Sequence, residues 1–281
     1  MTKFPKNMPA RRSFLAACIA AASATAVLGL SPADAQTLAA VKSRNKVIVG
    51  IQGENPPWGF INSQGKHEGF DADVAELFGK ELGVPVEFVA VTNNNRIPAL
   101  QTGRVDVLFS TLAMLPDRAK ALQFSQPYAA NEVMVVGAKT TPISKAEDLA
   151  KLSVGVPKGS AQETQITKIA PPSTDIRRFD DDSATIQAIL SGQVQAVGAN
   201  QFYLRRLDEQ KPGTFDKKFT LSVLYNGAGT KLGDKEWNAA VNAFLDKIKS
   251  NGELNKIYQR WMGFSAPNFP DKLDDIPFVA N

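Results

Sequence analysis

The chain of 281 residues contains one cysteine and one histidine. The cysteine, Cys18, lies inside an apolar N-terminal segment, so the rest of the chain has neither a disulfide nor a thiol nucleophile. The histidine, His67, ends Asn62-Ser-Gln-Gly-Lys-His67, which reads as an exposed hairpin turn and an inert position. Without a His/Cys cluster no metal is expected. Without a His beside a Ser motif, acyl-transfer catalysis lacks its parts. No cofactor motif is found, and none is expected.

An excess of one charge is also missing. Residues 1–35 hold four of the 32 Lys and Arg residues and one of the 28 Asp and Glu residues, so the remainder is close to neutral. A near-neutral surface without a basic, aromatic-interleaved stripe argues against nucleic acid as a partner. No second long apolar run follows residue 30, so the remainder is expected to be soluble.

What is present begins with a signal peptide, 1–35. Lys3, Lys6, Arg11 and Arg12 precede an Ala-rich apolar run from Phe14 to Leu30, and Ala33-Asp34-Ala35 has the form of a cleavage site. Ala10-Arg11-Arg12-Ser13-Phe14-Leu15 resembles the twin-arginine export motif. The general secretory route stays open because Ala10 replaces the usual Ser or Thr. Leu15-Ala16-Ala17-Cys18 looks like a lipoprotein box, but it stands at the wrong end of the apolar run. Export to the periplasm is the expectation.

An internal repeat points to two α/β lobes, each with a central, mostly parallel sheet. Val47-Ile-Val-Gly-Ile51 is echoed by Leu152-Ser-Val-Gly-Val156, and Ile97–Val105 by Ile186–Val194. In each long copy a helix ends at Gly103 or Gly192, where glycine tolerates the left-handed position. A strand is predicted directly after each, Val105–Phe109 and Val194–Ala199. Phe70, Val74, Leu77 and Phe78 line one face of a predicted helix, with strand Val86–Val91 behind it. The predicted plan is a first lobe over 36–137, a second lobe over 138–224, a return with two amphipathic helices over 225–264, and a tail over 265–281. Two crossover strands would form the hinge, one near Lys139–Pro142 and one near Asn226–Gly229.

Residues 109–118, Phe-Ser-Thr-Leu-Ala-Met-Leu-Pro-Asp-Arg, carry the chemistry. An apolar strand stops at two hydroxyls, Ser110 and Thr111, and Pro116 is suited to the first position of a helix. Arg118 then falls at the positive helix end, where an acid would be usual. Hydroxyls, backbone N–H groups and a misplaced guanidinium together make a receptor for a carboxylate. Solutes bind beyond the carboxyl ends of strands in open α/β sheets, which is where Ser110, Thr111 and Asn200 fall.

These features, with Gly69-Phe-Asp-Ala-Asp73, Asn95-Arg-Ile-Pro-Ala-Leu100, Gly103-Arg-Val-Asp106, Phe124-Ser-Gln-Pro-Tyr128 and Asn251-Gly-Glu-Leu254 with Trp261, resemble the extracytoplasmic solute-binding proteins of ABC importers. The resemblance is to the polar amino-acid-binding family (family 3), with the type II periplasmic binding protein fold. It implies two lobes that close on a solute and deliver it to an inner-membrane permease, the receptor acting as a monomer. It further implies that Arg118 grips the ligand carboxylate beside Ser110 and Thr111. Ala113 stands where a hydroxyl is usual, leaving only its backbone. The loop Gly159-Ser160-Ala161 would close on the same carboxylate, with Ala161 again replacing a hydroxyl.

The departures concern the ligand amine. Asn200 stands where the family places an Asp, Gln52 where many members have another, and Asn55 where an aromatic is usual. An enclosed ammonium without a carboxylate partner costs about 3–5 kcal/mol, although Glu54 could substitute. Arg96 either contacts a second ligand carboxylate or anchors its helix. Trp58, after Pro56-Pro57, is expected as an apolar wall of the cleft or as core. Asp180-Asp181-Asp182 reads as a helix N-cap. The expected ligand is an anionic or amine-poor carboxylate. The alternatives are a periplasmic dehydratase of prephenate or arogenate type, for which Asn200 supplies no proton, and a sensory receptor without a transport role.

Overall fold

The computed structural model describes residues 37–278; residues 1–36, which include the predicted signal peptide, and residues 279–281 lie outside the described residues. The first lobe opens with α1 (Thr37–Arg44), β1 (Val47–Gln52), β2 (Glu54–Asn55), β3 (Gly59–Ile61), β4 (His67–Glu68), α2 (Phe70–Leu82) and β5 (Val86–Val91). It continues through α3 (Arg96–Gln101), β6 (Val107–Leu108) and α4 (Pro116–Ala119) into the long β7 (Gln123–Ala138). The second lobe contains β8 (Ser153–Pro157), α5 (Ala161–Ile169), β9 (Asp175–Phe179), α6 (Asp182–Leu190), β10 (Ala196–Asn200) and α7 (Tyr203–Gln210). The long β11 (Phe215–Thr230) returns to α8 (Lys235–Ser250) and α9 (Glu253–Met262).

The sheets of the two lobes join into one. Eight strands run in the order β5-β1-β6-β11-β7-β10-β8-β9, parallel within each outer group. The antiparallel pair β7 and β11 spans both groups. The strand directions alternate at the centre because the chain crosses between lobes by extended segments rather than by helices. Register shifts at Lys217/Phe219, Thr220/Ser222, Asn226/Gly227 and Gly227/Gly229 interrupt the ladder of this pair. Val133 to Gly137 already pair with β10 of the second lobe.

Local structure follows from residue pattern. Val47, Val49 and Ile51 of β1 are fully buried, as a parallel strand covered on both faces requires. In α2 the buried Phe70, Val74 and Phe78 recur every fourth residue, and the helix stops at Gly83 in the left-handed conformation. The expected strand over 105–109 shortens to β6, and the helix at Pro116 is a single turn. His67 lies half-buried on β4, 5.3 Å from the Phe88 ring, and burial lowers its pKa; only the turn before it is exposed.

α8 and α9 break at Asn251 and Gly252 and pack against residues of the first lobe. Their apolar faces complete a core with Trp58, Phe70, Phe78, Phe109 and Tyr128. The tail also returns there, with Ile276 buried beside Leu100 and Phe124. Trp237 is the anchor of this helix pair: fully buried, 5.3 Å from Phe78, its Nε1 donating to the Asp106 carbonyl at 2.8 Å. Trp237→Ala is expected to cost about 3–5 kcal/mol of stability, read as a lowered urea midpoint. A cost under about 1 kcal/mol would mean that the helices do not hold this core.

Candidate functional site

The site forms where the two lobes meet. Gln52 ends β1, Asn55 ends β2, Arg96 opens α3, Ser110 to Ala113 follow β6, and Arg118 lies in α4. From the second lobe, Ser160 caps α5, Ala161 opens it, Asp182 opens α6 and Asn200 ends β10. These are the carboxyl ends of parallel strands and the starts of the helices after them.

Arg118 is buried, donating from Nη1 to the Ala113 carbonyl at 2.9 Å and from Nη2 to the Gly159 carbonyl of the other lobe at 3.0 Å. Burial, then the neighbouring Arg96 cation, pushes its pKa well below the usual guanidinium value. Among the described residues it forms no ion pair.

The loop after β6 is held by charge. Thr111 has φ 52, and its N–H and hydroxyl both donate to Asp71 Oδ2, at 2.8 and 3.0 Å. Tyr128 donates to the other Asp71 oxygen at 2.7 Å, and burial still raises the Asp71 carboxyl to about 6. Arg96 donates from Nη1 to the carbonyls of Ser110 and Thr111, at 2.6 and 3.4 Å. Burial lowers its pKa to about 10, opposed by Asp182 and Asp71, so it stays charged at neutral pH.

Across the seam, Asn200 Nδ2 donates to Asn55 Oδ1 at 3.0 Å, and Asn55 Nδ2 to Gln52 Oε1 at 3.1 Å. Asn93 Nδ2 donates to Asp182 Oδ2 at 2.9 Å, and Ser183 Oγ to the Glu54 carbonyl at 3.0 Å. The lobes are closed on one another. The cavity left between them is about 10 Å³, room for about one water.

Gln52, Asn55, Arg96, Thr111, Ala113, Ala161 and Asn200 line this cavity. Ser110, Arg118 and Ser160 are buried and do not line it. The Ser110 hydroxyl has no partner, whereas the Thr111 hydroxyl is committed to Asp71 and the Ser160 oxygen accepts from Glu163 N. Trp58 is core and not a cleft wall: its ring meets Phe70 at 5.5 Å and Phe202 of the second lobe at 5.7 Å. Among the described residues no cluster fit for a metal ion occurs.

Asn93, Asn131 and Gln162 line the cavity without having been singled out in the sequence, and Asp182, read there only as part of a helix N-cap, lines it too. Asp182 is the consequential one. Asp181 takes the capping role, accepting from Ala184 N at 2.7 Å, and Asp182 points inward, 1% exposed. Helical spacing held the clue, because Asp182 shares a face with the buried Thr185, Ile186 and Ile189. The cleft therefore does contain a carboxylate, which corrects the ground for expecting an amine-poor ligand.

The model of the bacterial extracellular solute-binding proteins, family 3, matches residues 47–264. The chain belongs to this family. The ABC transporter glutamine-binding protein GlnH of Bacillus subtilis is 31% identical over 232 residues, covering 80% of this chain and 84% of that protein. A solute receptor for L-cysteine of Neisseria gonorrhoeae is 27% identical with a TM-score of 0.76, covering 80% of this chain and 93% of that one. The ancestral amino acid-binding protein AncCDT-1, described as a precursor of cyclohexadienyl dehydratase, is 30% identical with a TM-score of 0.74, covering 80% and 99%. The two-lobed α/β architecture is thus the type II periplasmic binding fold.

Closure depends on Gly159, whose φ is +75 and where a Cβ would come within 2.8 Å of Asn94 Cα in the other lobe. Gly159→Ala is expected to cost closure about 1–3 kcal/mol, seen as faster amide exchange around 93–96 and 159–161; unchanged exchange would refute it. Acid linkage gives a second test. Burial, then the facing Asp182, raises the Glu54 carboxyl from 4.5 to about 7. The fold then binds more protons than the unfolded chain between those values, so stability falls as pH rises through that window. Glu54→Gln should make the fall of the melting temperature between pH 4.5 and 7 shallower, the part due to the raised Asp71 remaining, and an unaltered slope would assign the linkage elsewhere.

Proposed function

We propose that this protein is the binding component of an ABC importer, exported to the periplasm, whose lobes close over an amino acid or a related small carboxylate and present it to a membrane permease. The observation that carries the reading is Arg118. It is a buried cation held by one carbonyl from each lobe, with another cation as its charged neighbour. A buried charge without a counter-ion is costly, and a solute carboxylate would supply a bidentate partner. Because the guanidinium touches both lobes, binding there would favour the closed form.

The names of the relatives, receptors for glutamine and L-cysteine, support a small amino-acid-like solute. Ser160 and Ser110 keep hydroxyl protons to donate to the carboxylate, and Arg96 holds the loop that frames it. Gln52, Asn55 and Asn200 would set ligand identity from the opposite side. We read the protein as a monomeric receptor and not an enzyme.

Titration calorimetry against α-amino acids, dicarboxylates and amine-free organic acids tests this. One group is expected to bind, and Arg118→Ala to weaken it by at least about 100-fold. Unchanged affinity in Arg118→Ala would overturn the site. The raised pKa of Asp182, a cleft acid caused first by burial, favours one second reading, a dehydratase of prephenate or arogenate type. Consumption of either compound by the purified protein would replace the binding-only reading.

A further inference from the structure

At the seam between the lobes, outside the cavity, one carboxylate oxygen has nothing to bond. Glu54 of β2 offers its main-chain carbonyl to Ser183 Oγ of α6 at 3.0 Å, which holds it against the second lobe. Its Oε2 accepts from the Gly53 N–H at 2.8 Å, but its Oε1 is buried without a partner. Ser183 Oγ in turn accepts from Arg206 Nη2 of α7 at 2.9 Å, and Arg206 Nη1 is also buried without a partner. An anionic oxygen and a cationic N–H thus flank one serine. Among the described residues Glu54 and Arg206 nevertheless form no ion pair.

Most of the charge facing Glu54 belongs to the other lobe. Asp181 and Asp182 stand at the start of α6, Tyr203 and Arg206 lie on α7, and Arg96 of the first lobe is also within electrostatic reach. Two carboxylates outweigh the Arg206 guanidinium: burial first, then Asp182, raises the Glu54 carboxyl to about 7. Opening the lobes removes Asp181, Asp182 and the cover over Oε1 together, which returns the carboxyl toward 4.5. Other displaced groups do not follow closure in this way. Asp71 is bonded to Thr111 and Tyr128, and His67 packs on Phe88, all within the first lobe. Asp182 is covered on closing too, but it gains Asn93 and Gln52 as donors in the same step. Glu54 Oε1 gains none.

We propose that Glu54 is a proton-controlled latch between the lobes: closing places a proton from solvent on its side chain, and losing that proton favours opening. Glu54 does not line the cavity, so it is a positioning residue that acts on a solute only through closure. One proton bound on closing changes the closure constant by up to about tenfold per pH unit between 4.5 and 7, with acid favouring the closed form. The proposal rests on the reading of the two lobes as a receptor that opens and closes.

Small-angle X-ray scattering of the purified, solute-free protein tests this. The wild-type radius of gyration should increase between about pH 5 and 8 as the lobes open. Glu54→Gln, which resembles the protonated side chain, should stay compact over the same range. A wild-type radius that stays constant would overturn the latch without any variant. A Glu54→Gln protein that melts cooperatively and expands with pH as the wild type does would also overturn it. The receptor reading fails by a different result, the absence of carboxylate binding in calorimetry, so the two failures are told apart.

Discussion

The guanidinium of Arg118 is divided between two lobes, one carbonyl at Ala113 and one at Gly159. Neutral acceptors satisfy its hydrogen bonds but not its charge, and water, which would normally do so, is displaced by burial. Much of the site's architecture is a consequence. The loop after β6 must stay in a position that offers its carbonyl, and the loop before α5 must come close enough to offer another. The close approach of Gly159 to Asn94 makes that geometry possible.

The same loop is held from behind by opposite charges that do not touch. Asp71 takes the N–H and hydroxyl of Thr111, and Arg96 takes the carbonyls of Ser110 and Thr111. A left-handed threonine is costly in isolation, so these bonds offset a backbone conformation that the local sequence does not favour. Each charge also moderates the desolvation of the other. The Thr111 hydroxyl is consumed in this scaffold, which makes it a support for the site more than a donor to a solute.

The hinge strands explain how a rigid site can belong to a molecule able to open. β7 and β11 are continuous through both lobes, and their register is interrupted at four places between Lys217 and Gly229, each a point where the ribbon can bend. The polar contacts across the seam, Asn200 with Asn55 and Asn93 with Asp182, are side-chain bonds, and the apolar contact of Phe202 with Trp58 accompanies them. Opening then exchanges these bonds for water, at modest net cost per bond.

Much of the fold was legible in the residue pattern. The buried run Val47–Ile51, the four-residue spacing of Phe70, Val74 and Phe78, and the left-handed Gly103 and Gly192 are local signals, and the structure has a strand, a helix and two helix ends at those places. Arg118 stood out because a cation at a helix start is locally unfavourable. Three features lay beyond that reach. The sheet is continuous because β7 and β11 pair across residues about a hundred positions apart, and pairing partners leave no local trace. Trp58 went to the core because Phe70 and Phe202 meet there, a convergence no spacing encodes. Asp182 reached the cleft because Asp181 took the cap, and only the packing of α6 decided which of three adjacent carboxylates would be buried. The sequence by itself determined the elements, the family pattern and the guanidinium. Tertiary structure decided which charges lose their water together, because desolvation is set by everything that packs around a group and not by its neighbours along the chain.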